Sequence, residues 1–262
     1  MDLGIKGKRA LVLASSKGIG RGIAVALARE GANVLLCGRS GDLLQANCAA
    51  INAEGQGKAD WIWADLYEEN FVGSVTSGVQ EKLGGLDILV NNTGGPPGGP
   101  AHTAALDDFR IAFNQHLIAA QIVLQAVLPG MQAAGYGRVV NVISTSVKEP
   151  IKNLGVSNTI RGAMASWAKT LATELGPFGI TVNNVLPGYT KTARLEQILA
   201  DRSKATGKPE ADVAKTMLAT VPLGRFADPA EIAGVIAFLA SPAAAYVNGI
   251  NVPVDGGRTL SL

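Results

Sequence analysis

Three polar residues in the second half of the chain have a spacing that could support chemistry on a carbonyl or an alcohol. Ser157 and Arg161 lie four positions apart in a segment with a helical pattern, so one helical turn places both side chains on one face. Ser144 comes thirteen positions before Ser157, at the end of an apolar run that is typical of a buried strand. A serine hydroxyl can polarise a carbonyl oxygen, and a guanidinium can donate to hydroxyls or stabilise an anion.

A glycine-rich turn near the amino terminus predicts a phosphate-binding site. Gly18-Ile19-Gly20 separates an apolar run from a helical pattern. Glycines at such a junction let the backbone approach a pyrophosphate, and the helix amino terminus supplies amide donors. The turn alone is a weak signal. It is strengthened by Asn92-Thr93-Gly94 and Pro187-Gly188, which follow later strands and should lie at the same edge of a sheet.

Two basic residues favour NADP(H) over NAD(H) as the dinucleotide. An acidic residue at the end of the second strand would accept from the adenosine 2′-hydroxyl, whereas a basic residue there receives a 2′-phosphate. The chain has Gly38-Arg39-Ser40 at this point, and Lys17 directly precedes Gly18. The planar fork of an arginine suits bidentate contact with a phosphate. The alternative interpretation is that both residues are solvated surface cations.

The composition is that of a globular chain and argues against several classes of function. Of 262 residues, 47% are hydrophobic and 17% charged, and the net charge is +2. No long basic run is present, so we expect no nucleic-acid partner. No stretch reaches about 18 uninterrupted apolar residues and the first residues lack a signal-peptide pattern, which predicts a cytoplasmic protein without a membrane span. Cys37 and Cys48 are expected to be buried thiols, and no metal site is predicted.

Short apolar runs alternate with longer helical patterns, which predicts an α/β fold. We expect one Rossmann-type doubly wound parallel sheet of about seven strands with helices on both faces. No linker divides the chain, so residues 1–262 are expected to form a single domain. The predicted strands are Ala10–Ala14, Asn33–Cys37, Asp60–Ala64, Leu86–Asn91, Val139–Ser144, Thr181–Leu186 and Ile250–Val254. The predicted helices are Ile19–Glu30, Asp42–Ala53, Asn70–Leu83, Leu106–Met131, Thr159–Leu175 and Pro229–Leu239.

Two irregular segments are expected at the carboxyl edge of the sheet, where ligands bind in such folds. The Gly- and Pro-rich run 94–100 predicts a loop after the fourth strand. Residues 190–226 form a long insertion before a helix whose start is marked by Asp228, Pro229 and Glu231. We expect this insertion, with a helix or two, to be a substrate lid. The alternative is a packed helical excursion without a ligand.

These residues resemble the short-chain dehydrogenase/reductase family over nearly the whole chain, and 3-oxoacyl-acyl-carrier-protein reductases in particular. The resemblance implies that Ser144 polarises a carbonyl and that Asn114 supports a water in a proton relay. Arg161 would hold the cofactor ribose. The family's dimers and tetramers, formed through the fourth and fifth helices, imply a homodimer or homotetramer. The cofactor contacts implied by the resemblance are Ser16, Lys17, Gly18, Ile19, Gly20, Arg39, Asp65, Asn92, Gly94, Arg161, Pro187, Gly188 and Thr190.

The chain departs from the family at the pair that delivers the proton. Ser157 and Arg161 stand where the family has the Tyr and Lys of a Tyr-x-x-x-Lys pair. A serine hydroxyl is a far weaker acid than a phenol, and arginine keeps its proton because its pKa exceeds about 12. A second departure is Ala14, where the family has a glycine; its methyl is added where the backbone could require unusual dihedral angles. Ser157 could alternatively serve only to cap its helix.

Other residues could supply the missing proton. Tyr189 is the phenol nearest in sequence to a site element. His116 is offset by two positions from Asn114 and is expected to face elsewhere. A water held by Ser144, Ser157 and Asn114 is a further possibility. Charged and imidazole side chains in loops are expected to be solvated or at the mouth of the site, namely His102, Lys148, Glu149 and Lys152.

Three hypotheses follow for function. The first is an NADP(H)-dependent oxidoreductase acting on a ketone, an alcohol or a 3-oxoacyl substrate with altered proton-donor chemistry. The second is a catalytically silent regulatory protein that binds a nucleotide or another small ligand. The third is a non-redox enzyme resembling halohydrin dehalogenases. Those enzymes have Arg in the Lys position, but they retain the Tyr and replace the nucleotide loop, the opposite of this chain.

Overall fold

Seven parallel strands form one sheet in the order β3-β2-β1-β4-β5-β6-β7, with helices on both faces. The computed structural model describes residues 2–68 and 71–261. The strands are β1 (Arg9–Val12), β2 (Asn33–Gly38), β3 (Lys58–Trp63), β4 (Ile88–Asn91), β5 (Gly137–Val142), β6 (Ile180–Pro187) and β7 (Asn251–Val254). The helices are α1 (Gly18–Arg29), α2 (Gly41–Glu54), α3 (Phe71–Leu83), α4 (Leu106–Phe113), α5 (Ala119–Ala134), α6 (Gly155–Leu175), α7 (Ala193–Thr206), α8 (Glu210–Leu218) and α9 (Pro229–Leu239). The predicted doubly wound sheet is confirmed.

The strand order reverses beside β1, and this reversal positions the site. The chain moves outward from β1 to β3 on one side and from β4 to β7 on the other. The crossovers therefore leave a crevice outside the carboxyl ends of β1 and β4, which is where ligands bind in open α/β sheets.

Each face of the sheet has its own hydrophobic core. On one face, Val12, Val90 and Val140 pack with residues of α1 and α9, including Ile23 and Ile236. On the other face, residues of β1, β4, β5 and β6 pack against α3, α5 and α6; examples are Leu11, Leu89, Val139, Val123 and Leu171. Because both faces are covered, the strands read as continuous apolar runs rather than alternating patterns.

A row of four asparagines crosses the strands β4 to β7. Asn91, Asn141, Asn184 and Asn251 are direct neighbours in register on β4, β5, β6 and β7. Each Nδ2 donates to the next residue's Oδ1 at 2.8 Å, from Asn91 through to Asn251. Most of the polar atoms in these side chains are therefore hydrogen-bonded within the row, as buried polar groups in proteins usually are.

The helix α6 begins earlier than its sequence pattern indicated. It starts at Gly155, with Leu154 as the N-cap, rather than at Thr159. A Cβ on Gly155 would overlap the backbone of Ala101, so a distant loop packs closely against this first turn. Ser157 lies inside that turn, and the alternative that Ser157 only caps the helix is wrong.

Other element boundaries agree more closely. The helix α6 ends at Leu175, before Gly176-Pro177, and Asp228 N–H donates to the Glu231 carboxylate at 2.9 Å in the expected capping box of α9. The strand β5 ends at Val142, two residues before Ser144. The third helix runs from Phe71 to Leu83; Asn70 lies outside the described residues. Cys37 and Cys48 are buried free thiols, as expected.

The long predicted helix is divided into three parts. α4 and α5 are joined by a π-helical turn, Asn114–Ile118, and together they span Leu106–Ala134. Among the described residues, this stretch is the one helix whose length and composition would suffice to cross a membrane. Its inner face belongs to the core, since Val123 and Met131 are fully buried against the sheet.

Candidate active site

One continuous cleft of about 1460 Å³ runs along the carboxyl edge of the sheet and extends along α1 and α2 as far as Arg29 and Glu54. One end is formed by the turn before α1 and the end of β2, which we call the nucleotide end. The other end is formed by the segment after β5 and by α6, which we call the reaction end. Every cofactor contact expected from the sequence lines this cleft, as do Ser144, Ser157 and Arg161.

The glycine turn at the nucleotide end is fixed by close backbone contacts. A Cβ on Gly20 would overlap the Ala14 carbonyl oxygen and lie 2.8 Å from Asn92 Nδ2. Ala14 itself has φ +47°, in the left-handed region that favours glycine. The Asn92 side chain donates to the Leu13 and Ala14 carbonyls at 3.2 Å each. The methyl of Ala14 is therefore accommodated at some backbone strain, and Asn92 braces the strained turn.

The basic residues expected for a 2′-phosphate lie at the nucleotide end with donors available. Arg39 is exposed and lies 3.7 Å from Asp65 Oδ2, a loose ion pair. Its guanidinium lies 5.1 Å from the centroid of the Tyr67 ring, and Trp63 Nε1 donates to its carbonyl at 3.0 Å. Lys17 is also exposed along the same cleft. The amino terminus of α1 and these two cations fit a bound dinucleotide phosphate.

At the reaction end, the hydroxyl of Ser144 is oriented by its own loop. Ser144 is the N-cap of a short 3-10 turn, and its Oγ accepts from the Ser146 N–H at 3.1 Å. Because the oxygen is engaged as an acceptor, its hydrogen remains free to donate into the cleft. Ser157 is half-buried in the cleft wall, one helical turn before Arg161.

Arg161 is buried beneath this end of the cleft. It is 7% exposed, and its Nη1 donates to the Val142 carbonyl at 2.8 Å, at the end of β5. Burial lowers the pKa of Arg161 to about 10. The guanidinium thus remains charged near neutral pH while lying in a poorly solvated position.

The π-helical turn 114–118 exposes Asn114 and buries His116. Asn114 is exposed and is not among the residues that line the cleft, so the expectation that it faces the site is wrong. His116 is buried, and its Nδ1 makes a short hydrogen bond with Thr93 Oγ1. Burial, with a smaller effect of Arg161, lowers the pKa of His116 to about 2, so the imidazole is neutral. The π-helical turn shifts the helix phase here, which sequence periodicity could not reveal.

The residue between them, Gln115, was missed by sequence reasoning. Gln115 is 8% exposed and lines the cleft, and its Nε2 has no hydrogen-bond partner among the described residues. A glutamine in a predicted apolar helix carries no distinguishing signal, because most such residues point to solvent.

Of the other candidate proton donors, Tyr189 lines the cleft and the rest do not. Tyr189 lines the cleft, with the Arg258 guanidinium 4.7 Å from its ring centroid and Phe226 edge-on at 6.1 Å. Glu149 instead holds the carboxyl-terminal segment, accepting from the Leu260 and Ser261 N–H groups at 2.6 and 2.7 Å. His102, Lys148 and Lys152 are not among the lining residues.

The insertion 190–226 contributes two helices, and one of them borders the cleft. α7 provides Arg194, Leu195 and Ile198 to the lining. Arg194 Nη2 donates to the Pro96 carbonyl at 3.4 Å, which joins α7 to the Gly- and Pro-rich loop across the mouth. These two irregular segments therefore face each other over the reaction end.

Comparison with known proteins gives consistent matches over the full length. A family model described as Enoyl-(Acyl carrier protein) reductase matches residues 13–259. Gluconate 5-dehydrogenase of Gluconobacter oxydans is 31% identical over 98% of this chain and 97% of its own length. The 3-oxoacyl-[acyl-carrier-protein] reductase of Vibrio cholerae is 33% identical over 97% of this chain and 98% of its own.

Solved structures agree with this assignment. L-sorbose reductase from Gluconobacter frateurii, complexed with NADPH and L-sorbose, superposes with a TM-score of 0.94 at 31% identity and full coverage of both chains. An actinorhodin polyketide ketoreductase with NADPH gives 0.91 at 30% identity, covering 97% of this chain and 98% of its own. The sheet order, the glycine turn and these matches together place the chain in the short-chain dehydrogenase/reductase family.

Proposed function

We propose that the protein is an NADP(H)-dependent oxidoreductase that acts on a ketone, an alcohol or a 3-oxoacyl substrate, with a proton source other than the family's tyrosine. The observation that carries this proposal is the unbroken cleft that joins the glycine turn to Ser144 and Arg161. A cofactor bound at one end would extend toward polar groups at the other.

The preference for NADP(H) is supported by charge and by relatives. Lys17 and Arg39 are exposed in the cleft near the end of β2, where a 2′-phosphate would lie. L-sorbose reductase and the actinorhodin ketoreductase, both similar to this chain, are complexed with NADPH. Gluconate 5-dehydrogenase, cyclohexanol dehydrogenase and 3-oxoacyl reductases are among the relatives, which supports a substrate of the ketone or alcohol class.

The residues of the reaction end divide the work of carbonyl reduction. When bound, the reduced nicotinamide supplies the hydride to the carbonyl carbon. Ser144 donates its hydroxyl hydrogen to the carbonyl oxygen, and the buried Arg161 stabilises negative charge near it. The oxygen must also receive a proton, and it comes from Tyr189 or from a water held by Ser144 and Ser157.

Self-association is part of the proposal. The α4 helix and the π-helical turn expose the apolar side chains of Leu106, Ile111, Phe113 and Ile118. Exposed apolar groups clustered on one helical run are typical of an interface. We expect a homodimer or homotetramer, which light scattering of the purified protein would measure.

A silent binding protein is the second candidate, and one observation favours it. The pair Ser157 and Arg161 supplies neither a phenol nor an amine, and Arg161 is engaged by the Val142 carbonyl. In that case NADP(H) binding would persist without turnover, and the cleft would serve as a sensor.

The test compares binding with turnover. We expect NADPH to bind more tightly than NADH, and NADPH oxidation to be measurable with some members of a panel of ketones and 3-oxoacyl thioesters. The matched variant Arg39→Gln should weaken NADPH binding about tenfold or more and leave NADH binding nearly unchanged, because one charge-assisted contact is lost. Tight NADPH binding without turnover on any panel member would favour the silent protein. Failure to bind either nucleotide would contradict both candidates.

A further inference from the structure

The two deeply buried arginines of this protein are satisfied very differently. Arg138 is 4% exposed; its guanidinium donates to the Gly137, Gly179 and Ser241 carbonyls and lies 4.3 Å from the Tyr136 ring centroid. Arg161 is 7% exposed and donates to the Val142 carbonyl alone. Since a guanidinium has five N–H donors, most of those on Arg161 are uncommitted.

No acidic group in the described part of the chain forms an ion pair with Arg161. Among residues 2–68 and 71–261, the ion pairs within 4.0 Å include none that involves Arg161. Its imidazole neighbour His116 is neutral, as its low pKa indicates. A buried cation without a partner is costly, and such groups in proteins are normally paired or bound to a ligand.

Among the described residues, the acids that line the cleft lie away from Arg161, beside Arg39, at the start of α9, or at the carboxyl ends of α1 and α2. Asp65 lies beside Arg39, Asp228 pairs with Lys191 at 3.0 Å, and Glu54 pairs with Arg29 at 2.7 Å. Glu30 follows the last residue of α1. The lining residues of the reaction end are neutral or basic, and include Gln115, Ser144, Ser157, Arg161 and, at the mouth, Arg194.

We propose that the substrate carries a carboxylate and that Arg161 binds this group at the base of the reaction end. The guanidinium fork matches a carboxylate, and the anion would replace the missing counter-charge. The residual exposed surface of Arg161 opens on the cleft, with the hydroxyls of Ser144 and Ser157 in the same wall. The cofactor phosphates would be bound elsewhere, at the glycine turn and beside Lys17 and Arg39. A ribose hydroxyl on one N–H of Arg161, as the family resemblance implies, would still leave N–H donors for a carboxylate, since only Nη1 is engaged by the protein. That the bound anion is a substrate rests on the proposed function. The anion site itself does not depend on turnover.

The test therefore uses unreactive probes. Butanoate and benzoate are compared with their isosteric amides, butanamide and benzamide, on the free and the NADPH-loaded protein. Binding is followed by thermal shift and, in the loaded protein, by quenching of NADPH fluorescence. We expect each carboxylate to bind about 10- to 100-fold more tightly than its amide, because a charge-assisted contact replaces a neutral one.

Variants locate the contact. Arg161→Gln should abolish the difference between carboxylate and amide, and Arg161→Lys should keep part of it. Arg110→Gln removes an equal charge from the exposed pair with Asp107, outside the cleft, and should leave the difference intact. Equal binding of carboxylates and amides by the unmodified protein overturns the proposal, whether or not any variant folds. So does a carboxylate preference that survives Arg161→Gln. If the unmodified protein prefers carboxylates to amides but turns over no ketone, the result would count against the proposed function and not against the anion site.

Discussion

The two ends of the cleft are built by opposite means. At the nucleotide end, the backbone itself forms the surface, and Gly20 and Asn92 hold it against Leu13 and Ala14. At the reaction end, exchangeable side chains on α6 and after β5 form the surface. A site made of backbone tolerates few changes, whereas a site made of side chains can change its chemistry while sheet and helices keep their places. The departures from the family's motif follow this division: one methyl at the first end, and two functional groups at the second.

The largest expected effect comes from restoring a phenol and an amine to the reaction end. In the double substitution Ser157→Tyr, Arg161→Lys, ketone reduction should rise by about 10²- to 10⁴-fold, the usual contribution of a positioned general acid. Ser157 is half-buried in the wall of the cleft, so a ring at this position has space to extend into it. Steady-state NADPH oxidation measures the gain, with each single substitution as a control. An unchanged rate in a protein that still binds NADPH would mean that the reaction end differs in shape as well as in chemistry.

The next largest effect is a loss, expected from adding a single methyl at the nucleotide end. Gly20→Ala would force its Cβ against the Ala14 carbonyl and Asn92, and should cost about 3 kcal/mol in the free energy of unfolding together with NADPH binding. Gly162→Ala is the matched control, since a Cβ on Gly162 meets nothing within 4 Å. That variant should be about 0.5–1 kcal/mol more stable, because alanine favours the helix. Urea unfolding and fluorescence titration measure both; normal NADPH affinity in Gly20→Ala would refute a backbone-built site.

The asparagine row should show that polar side chains also hold the sheet beneath the reaction end. Asn141→Ala removes two hydrogen bonds between side-chain amides and leaves Asn91 Nδ2 and Asn184 Oδ1 without partners. The expected loss is about 2–3 kcal/mol in the free energy of unfolding. Asn251→Ala breaks one bond at the end of the row and should cost about half as much. Equal losses for the two variants would show that the row does not act through its individual bonds.

Acid should destabilise the reaction end through His116. Burial, and secondarily Arg161, hold the folded pKa of His116 at about 2, well below the ordinary value near 6.5. The unfolded chain therefore binds the proton more readily, and the stability is present above pH 6.5 and lost as the pH falls below it. The loss is about 1.4 kcal/mol per pH unit, or about 2 kcal/mol from pH 6.5 to 5.

The control for that prediction is His116→Asn, which should lack this slope in urea unfolding between pH 7 and 5. Asp87 does not contribute to the slope between pH 7 and 5. Burial opposes its ionisation, but hydrogen bonds from Arg9 prevail and lower its pKa, so its contribution to the free energy of unfolding is lost only below about pH 4. An identical slope in both proteins would place the acid sensitivity elsewhere.

The smallest expected effect is at Ala14. Replacing Ala14 by glycine relieves a left-handed backbone but frees the unfolded chain, so the net gain should be about 0.5 kcal/mol or less. Differential scanning calorimetry resolves a shift of this size when variants are measured side by side. A clear loss of stability would mean that the methyl of Ala14 contributes packing that outweighs its strain.

The sequence predicted the parts of this molecule that depend on local pattern. Apolar runs located the seven strands of the sheet. The capping residue Asp228 located the start of α9, and Gly176-Pro177 located the end of α6. What it missed depends on contacts between distant segments. The early start of α6 follows from packing of Gly155 on Ala101. The exposure of Asn114 and the burial of Gln115 and His116 follow from a π-helical turn. The lack of a counter-ion for Arg161 could not be predicted from the sequence either, because a sequence gives the charged residues but not the residues that surround them in space.

The hydrogen bonds of the asparagine row all run in one direction. All of its amides point the same way, so the β4 end presents a lone acceptor, Asn91 Oδ1, which has no partner among the described residues. Turning one amide over would set two donors or two acceptors against each other, so the four must turn together or not at all. The hydrogen-bonding group presented at the β4 end of the row is thus decided jointly by four strands, and a change at Asn251 on β7 can reverse it from three strands away.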